Sequence, residues 1–352
     1  MRAAAEPGAS SPGESPGESP GESSPGVRTG TGGDGGSGTA GLVRLTLRRH
    51  RATAWTALGV LVALLVTLGF LRAAITGYVR SHGLEAACAE ESGCGFSNDA
   101  VNTFRADFGD PLHFIGLFVE LLPLLVGLFV AGPMIGREME SGTYRLAWTQ
   151  SVSPGRWLAV RMAVPAVAAL AGLSLLSAAY TWTWRAVPAR TLPEEWWSRS
   201  YDMLGAVPVA HALLALTVGA LVGLALKRTL AAMGGTLVTY LVLAGGLESL
   251  RPRLTGPVTE LSPEMPGLIK GDAWILERGL IARSGGRVPE PDCKVGVSPQ
   301  RCAEQHDATG WYLDYHPSSH LWTLQWTEAA IALALAALAA GAAMWLIRRT
   351  YP

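Results

Sequence analysis

Apolar residues fall along this chain in blocks, separated by polar intervals that carry arginine. Six runs, at roughly 54–75, 112–133, 158–184, 205–226, 229–249 and 327–347, each approach the ~20 residues a helix needs to cross a bilayer. Only helices or closed barrels satisfy their backbone polar groups inside lipid, so the runs predict an all-α integral membrane protein with six transmembrane helices. Ahead of the first run, Leu42, Val43 and Leu45 mix with Arg44, Arg48, Arg49 and Arg51. Residues 41–53 therefore read as a basic amphipathic lead-in helix on the membrane surface. Residues 1–40 hold PGESPGESPGES and TGTGGDGGSG with almost nothing apolar to bury, and are expected to be a disordered tail. The tail has no apolar stretch before a cleavage site and does not read as a signal peptide.

Positive charge orients the spans. Arg44, Arg48, Arg49 and Arg51 precede span one, while Arg137, Arg145, Arg156 and Arg161 surround the loop after span two. Lys227 and Arg228 form the turn after span four, and Arg348 and Arg349 follow span six. With alternating spans all four groups share one side, which places both termini and 134–157 in the cytoplasm of a multi-pass plasma-membrane protein. Segments 76–111, 185–204 and 250–326 are then outside. The organisation is a tail (1–40), a lead-in helix (41–53), spans one to five (54–249), an extracellular loop domain (250–326), and span six with the C-terminus (327–352).

The cysteines fit that topology. Cys88, Cys94, Cys293 and Cys302 all fall in exterior segments, which suits two disulfides, most simply Cys88–Cys94 and Cys293–Cys302. Four cysteines permit three connectivities. A metal reading competes, because Cys302, His306, His316 and His320 lie close in sequence. Pro317 breaks the helix that would put His316 and His320 on one face, which favours the disulfides. Apolar residues make up 49%, charged ones 16%, and the net charge is zero, so no nucleic acid or acidic partner is implied. No cofactor is implied either.

The polar stretch from Met134 to Trp157 organises the rest. Gly142 marks a break, and Thr143 can cap a helix of two turns or so through Ser151. Ser153-Pro154 reads as an N-cap followed by proline at the first helical position. A short helix lying across the membrane surface suits docking to a partner; the plainer reading is an interfacial loop anchored by Trp148 and Trp157.

Few groups inside the spans could do chemistry. Glu120 in span two and His211 in span four are expected to face the bundle interior, lining a path or packing as hydrogen-bonded residues. Gly219 and Gly223 form a GxxxG that permits close helix contact. Trp182, Trp184, Trp196, Trp197, Trp322 and Trp326 read as interfacial belt residues. No P-loop is present, nor H-E-x-x-H, nor G-x-S-x-G, so the chain is not expected to be an enzyme. Glu194, Glu195 and Arg199 match an EExxxR protease pattern, but they follow Pro193 in an exterior loop and lack the accompanying phenylalanine–histidine or phenylalanine–asparagine spacing.

The run Arg137-Glu138-x-Glu140-x-Gly142-Thr143-x-Arg145-Leu146-Ala147-Trp148-Thr149-Gln150-Ser151-Val152, then Arg156-Trp157, resembles the cytoplasmic loop of actinobacterial type-2 ABC transporter permeases. The resemblance spans roughly 41–350, with its specificity in this loop. It implies a permease without its own motor, whose coupling helix seats on a separate ATP-binding subunit. By that likeness Arg137, Glu138, Glu140, Gly142, Thr143, Arg145 and Trp148 carry the coupling. Two permease copies, or this one plus a related chain, with two ATP-binding subunits would complete an exporter. A membrane sensor or immunity protein, whose exterior domain binds a ligand without transport, is the alternative; a membrane-embedded hydrolase is disfavoured by the missing motifs.

Overall fold

The structure is a computed structural model, and it describes residues 51–88, 98–145, 153–189, 191–192, 196–263, 273–289 and 298–350. Among these, six helical segments are long and apolar enough to cross a membrane, and they cover the six apolar runs. They are α1 (Arg51–His82), α2 (Asp99–Ser141), α3 (Pro154–Trp184), α4 (Val207–Leu226), α5 (Thr229–Leu250) and α6 (Leu321–Thr350). The tail and most of the lead-in helix lie outside the described residues.

Helix ends follow local chemistry. Asn98 caps α2, its Oδ1 accepting from the Ala100 and Val101 amides. Ser153 is extended and Pro154 opens α3, as the sequence suggested, although the Ser153 side chain makes no cap bond. Lys227 adopts a left-handed conformation with φ 54°, which stops α4 and lets Arg228 start α5 at once.

α2 runs much further than the expected span 112–133. It holds 43 residues and carries π-helical turns at Arg105–Gly109 and Val126–Ala131. Each π turn is followed two residues later by proline, Pro111 or Pro133. A widened turn accommodates a ring and a missing donor that would break a regular helix. α2 therefore continues through Ser141, so Arg137, Glu138 and Glu140 belong to the end of span two. The break expected at Gly142 is there, with φ 69°, and a helical turn restarts at Tyr144; the rest of the helix expected from Thr143 through Ser151 lies outside the described residues.

α4 is the centre of the bundle, with 61% of its apolar window buried against 11–28% for the other spans. It meets α2 through glycine. A Cβ at Gly219 would lie 2.9 Å from both the Ala131 Cβ and the Gly127 carbonyl oxygen, and one at Gly223 3.1 Å from the Gly132 oxygen. The GxxxG thus has a definite partner, the Gly127–Gly136 face of α2. Gly219→Leu should lower the stability of the detergent-solubilised protein by roughly 1–3 kcal/mol. Gly172→Leu, where a Cβ meets nothing within 4 Å, should leave the unfolding temperature unchanged.

The segment between α5 and α6 corrects the all-α expectation. It contains four antiparallel strands, β1 (Val258–Ser262), β2 (Trp274–Ala282), β3 (Arg287–Pro289) and β4 (Ala308–His316), in the order β1-β4-β2-β3. A short helix, Pro299–Gln305, joins Leu280, Trp311 and Cys302 in a small core. The strands were illegible because polar pairs interrupt any apolar alternation. Thr259 and Arg287 both reach Asp314, and the Tyr312 hydroxyl donates to Glu277 at 2.8 Å. These groups satisfy one another across the sheet.

The tryptophan belt holds only in part. Trp182 and Trp326 are exposed, but Trp196 is buried against Trp197 and Trp274, and Trp157 is buried with Ile135 and Leu158. Trp196 and Trp157 are therefore packing residues.

Candidate functional site

The end of α2 projects its polar residues in two directions. Arg137 and Glu140 are exposed and Glu138 is half-buried, whereas Met139 faces inward. Glu138 Oε1 pairs with Arg161 Nη2 of α3 at 2.7 Å. Glu140 Oε2 accepts from the Thr229 amide at 2.9 Å and from its hydroxyl at 2.7 Å. The first amides of a helix lack internal acceptors and lie at its positive end, so Glu140 of α2 caps α5. These two acids therefore fasten α2 to α3 and α5.

Beyond Gly142 the chain turns. Ser141 and Thr143 hydroxyls lie 3.0 Å apart, and the Arg145 amide donates to the Gly142 carbonyl at 3.1 Å. Tyr144 plugs a core made by Met139, Trp157, Leu224 and Ile347, while Arg145 stays exposed. A left-handed residue is needed to fold Tyr144 back under α2, and glycine supplies it without strain. Trp148 lies outside the described residues, as does most of the helix expected through Ser151.

A second polar group lies at the opposite end of the bundle. Arg251, which follows α5, donates from Nε and Nη2 to Glu328 of α6 at 2.9 and 3.1 Å. It also donates to both Asp202 oxygens, at 3.2 and 2.6 Å, and its guanidinium covers the Tyr201 ring at 3.9 Å. Glu328 is fully buried, and Oε1 sits 3.4 Å from His211 Nε2; His211 Nδ1 meets the Tyr240 hydroxyl at 3.3 Å. Burial first, then the Glu328 charge, pushes the Tyr201 phenol well above its ordinary value. His211 thus faces the interior, as expected, within this group on α4, α5 and α6. Glu120 is half-buried on α2. Sequence reasoning passed over Glu328, although a lone acid in an apolar run was the signal used for Glu120. Arg251 and Asp202 carried no such signal, because both lie just outside the expected spans.

The histidines come together despite Pro317. His316 ends β4, the chain turns through Ser318–His320, and the two Nδ1 atoms lie 3.1 Å apart. His316 Nε2 also faces the Pro252 carbonyl at 3.1 Å. Burial, reinforced by His320, holds the His316 imidazole below its ordinary pKa against the pull of that carbonyl. No group of three or more ligand-type side chains that could hold a metal occurs among the described residues. Cys88 and Cys302 are buried in separate cores; Cys94 and Cys293 lie outside the described residues.

The model of a family described as ABC-2 membrane transporter related matches residues 58–251. The match runs from α1 to Arg251, and so takes in five spans and the loop after α2. No curated protein and no solved structure matches the chain. Six spanning helices and a family match over more than half its length place this chain, a multi-pass protein of the plasma membrane, in the ABC-2 membrane transporter related family.

Proposed function

We propose that the chain is the permease subunit of an ATP-driven exporter, and that its 134–157 loop seats on a separate ATP-binding subunit. The family is a membrane component and not itself an ATPase, so the energy comes from a partner. The observation that supports the reading best is the linkage at the end of α2. Arg137 and Arg145 are exposed there, while Glu138 and Glu140 tie the same segment to α3 and α5. A partner gripping the exposed groups would move three spans together. Gly142 and Thr143 shape the turn, and Trp148 supplies buried anchor area in the partner's groove.

Two permease copies, or this chain with a related one, and two ATP-binding subunits would form the complete transporter. The path is proposed to run along α2 and α4, past Glu120 and His211. An amphiphile suits a path with few fixed charges. Purification in mild detergent tests the core of the reading: an ATP-binding subunit should copurify. Its absence, with a kinase or regulator retained instead, would favour the sensor reading, which the folded exterior sheet supports.

The proposed topology keeps both termini and 134–157 in the cytoplasm, with 76–111, 185–204 and 250–326 outside. In a background without native cysteines, an impermeant thiol reagent on intact cells should modify Gln300→Cys and spare Gln150→Cys and Tyr351→Cys. Modification of position 150 from outside would overturn the orientation. The two proposed bridges, Cys88–Cys94 and Cys293–Cys302, should appear as linked peptides in mass spectra of unreduced protein. Free thiols at those positions would refute them.

A further inference from the structure

α6 carries its charge at its two ends. Its one acid, Glu328, is near the start, and Arg348 and Arg349 close it, ~30 Å further along the helix. Around those last turns the surface is hollowed on two sides. A depression of about 260 Å³ lies against the end of α4, lined by Leu224, Lys227, Ile347 and Thr350 among others. A second of about 490 Å³ runs along the outer face, lined by Gly341, Met344, Trp345, Arg348 and Arg349. Among the described residues, no acidic one lines either depression.

The outer depression has a direction. Leu338, Gly341 and Trp345 follow one another on one helix face, and Leu338 and Trp345 are exposed. Among the described residues a Cβ at Gly341 would meet nothing within 4 Å, so this glycine leaves an open slot beside Trp345. At the mouth, Arg348 and Arg349 are exposed, with the Arg349 guanidinium 5.0 Å over the Trp345 ring. The apolar lane is ~15 Å long from Leu338 to Arg348, and lies where a spanning helix leaves the hydrocarbon layer.

From this arrangement we infer that the end of α6 binds one anionic phospholipid, an acyl chain lying along Leu338, Gly341 and Trp345 and the phosphodiester headgroup held by Arg348 and Arg349. Charge complementarity selects an anionic headgroup, since basic pockets at the ends of spans hold such lipids. Lys227, exposed on the other side of α6, adds to the same positive field. Under the proposed topology the lipid belongs to the inner leaflet, but its binding does not depend on which protein drives transport.

Native mass spectrometry of the full chain in detergent tests the site. Phosphatidylglycerol and phosphatidylcholine with identical acyl chains are offered at equal concentration. The wild type should retain phosphatidylglycerol about tenfold over phosphatidylcholine. The Arg348→Gln/Arg349→Gln variant should lose the preference, and Arg348→Lys/Arg349→Lys should keep it. Gly341→Leu should lose lipid retention while its unfolding temperature stays that of the wild type. Equal retention of both lipids by the wild type, or an undiminished preference in the glutamine variant, would overturn the proposal. Release of the lipid by inorganic phosphate at millimolar concentration would mark a free-anion site instead and also overturn it. So would efficient disulfide formation between copies carrying Trp345→Cys in native membranes, which would place a second chain against this face.

Discussion

Arg251→Met should destabilise the folded protein by about 3–5 kcal/mol, the usual cost of stranding a buried charge by removing its partner. Arg251 is 4% exposed and Glu328 0%, so neither has water to fall back on. Thermal unfolding of the purified protein in detergent reads the loss. The double variant Arg251→Met/Glu328→Met should recover most of it, because removing both charges removes the desolvation cost as well. A single variant as stable as the wild type would mean that the Arg251–Glu328 pair is not buried in the membrane-embedded protein. The consequence reaches past stability. Arg251 stands where α5 gives way to the four-stranded sheet, and His316 closes the returning strand against Pro252. The two contacts together fix the sheet's stem to α4, α5 and α6.

Much of this architecture was legible because lipid leaves few choices. Apolar runs of about twenty residues must be helices, and the structure places spans on all six. Glycine spacing at Gly219 and Gly223 predicted close packing, but could not say that α2 was the partner. The end of α2 was misread for a local reason: Gly132-Pro133 and a following polar run look like a loop, and π turns are not visible in a hydropathy pattern. The four-stranded sheet was hidden for another reason. Its strands carry Glu277, Arg287, Thr259 and Asp314, which satisfy one another only once the strands are paired. The site residues split along the same line. The resemblance of the loop marked Glu138 and Glu140 as expected coupling residues, whereas their partners Arg161 and Thr229 are distant in sequence and emerge only from the packing.

That division decides how the loop is probed. Glu138→Ala also breaks the pair with Arg161, whose groups are about a fifth to a quarter exposed, so the fold should lose no more than ~1 kcal/mol. Glu140→Ala uncaps α5 and should cost about 0.5–2 kcal/mol. Neither separates a partner contact from a fold contact. Arg145 is exposed and its Nε reaches the hydroxyl of the neighbouring Tyr144; it is probed together with Trp148.

The affinity of the purified ATP-binding subunit for the full-length permease, compared between wild type and Arg145→Ala/Trp148→Ala, therefore tests the central claim most directly. Loss of a buried aromatic anchor should cost on the order of 2 kcal/mol, about thirtyfold in affinity. Thermal unfolding of the permease alone should stay within ~1 kcal/mol of wild type if both side chains serve the partner and not the fold. Wild-type affinity in the double variant, together with undiminished transport in vesicles, would contradict the coupling role of the loop.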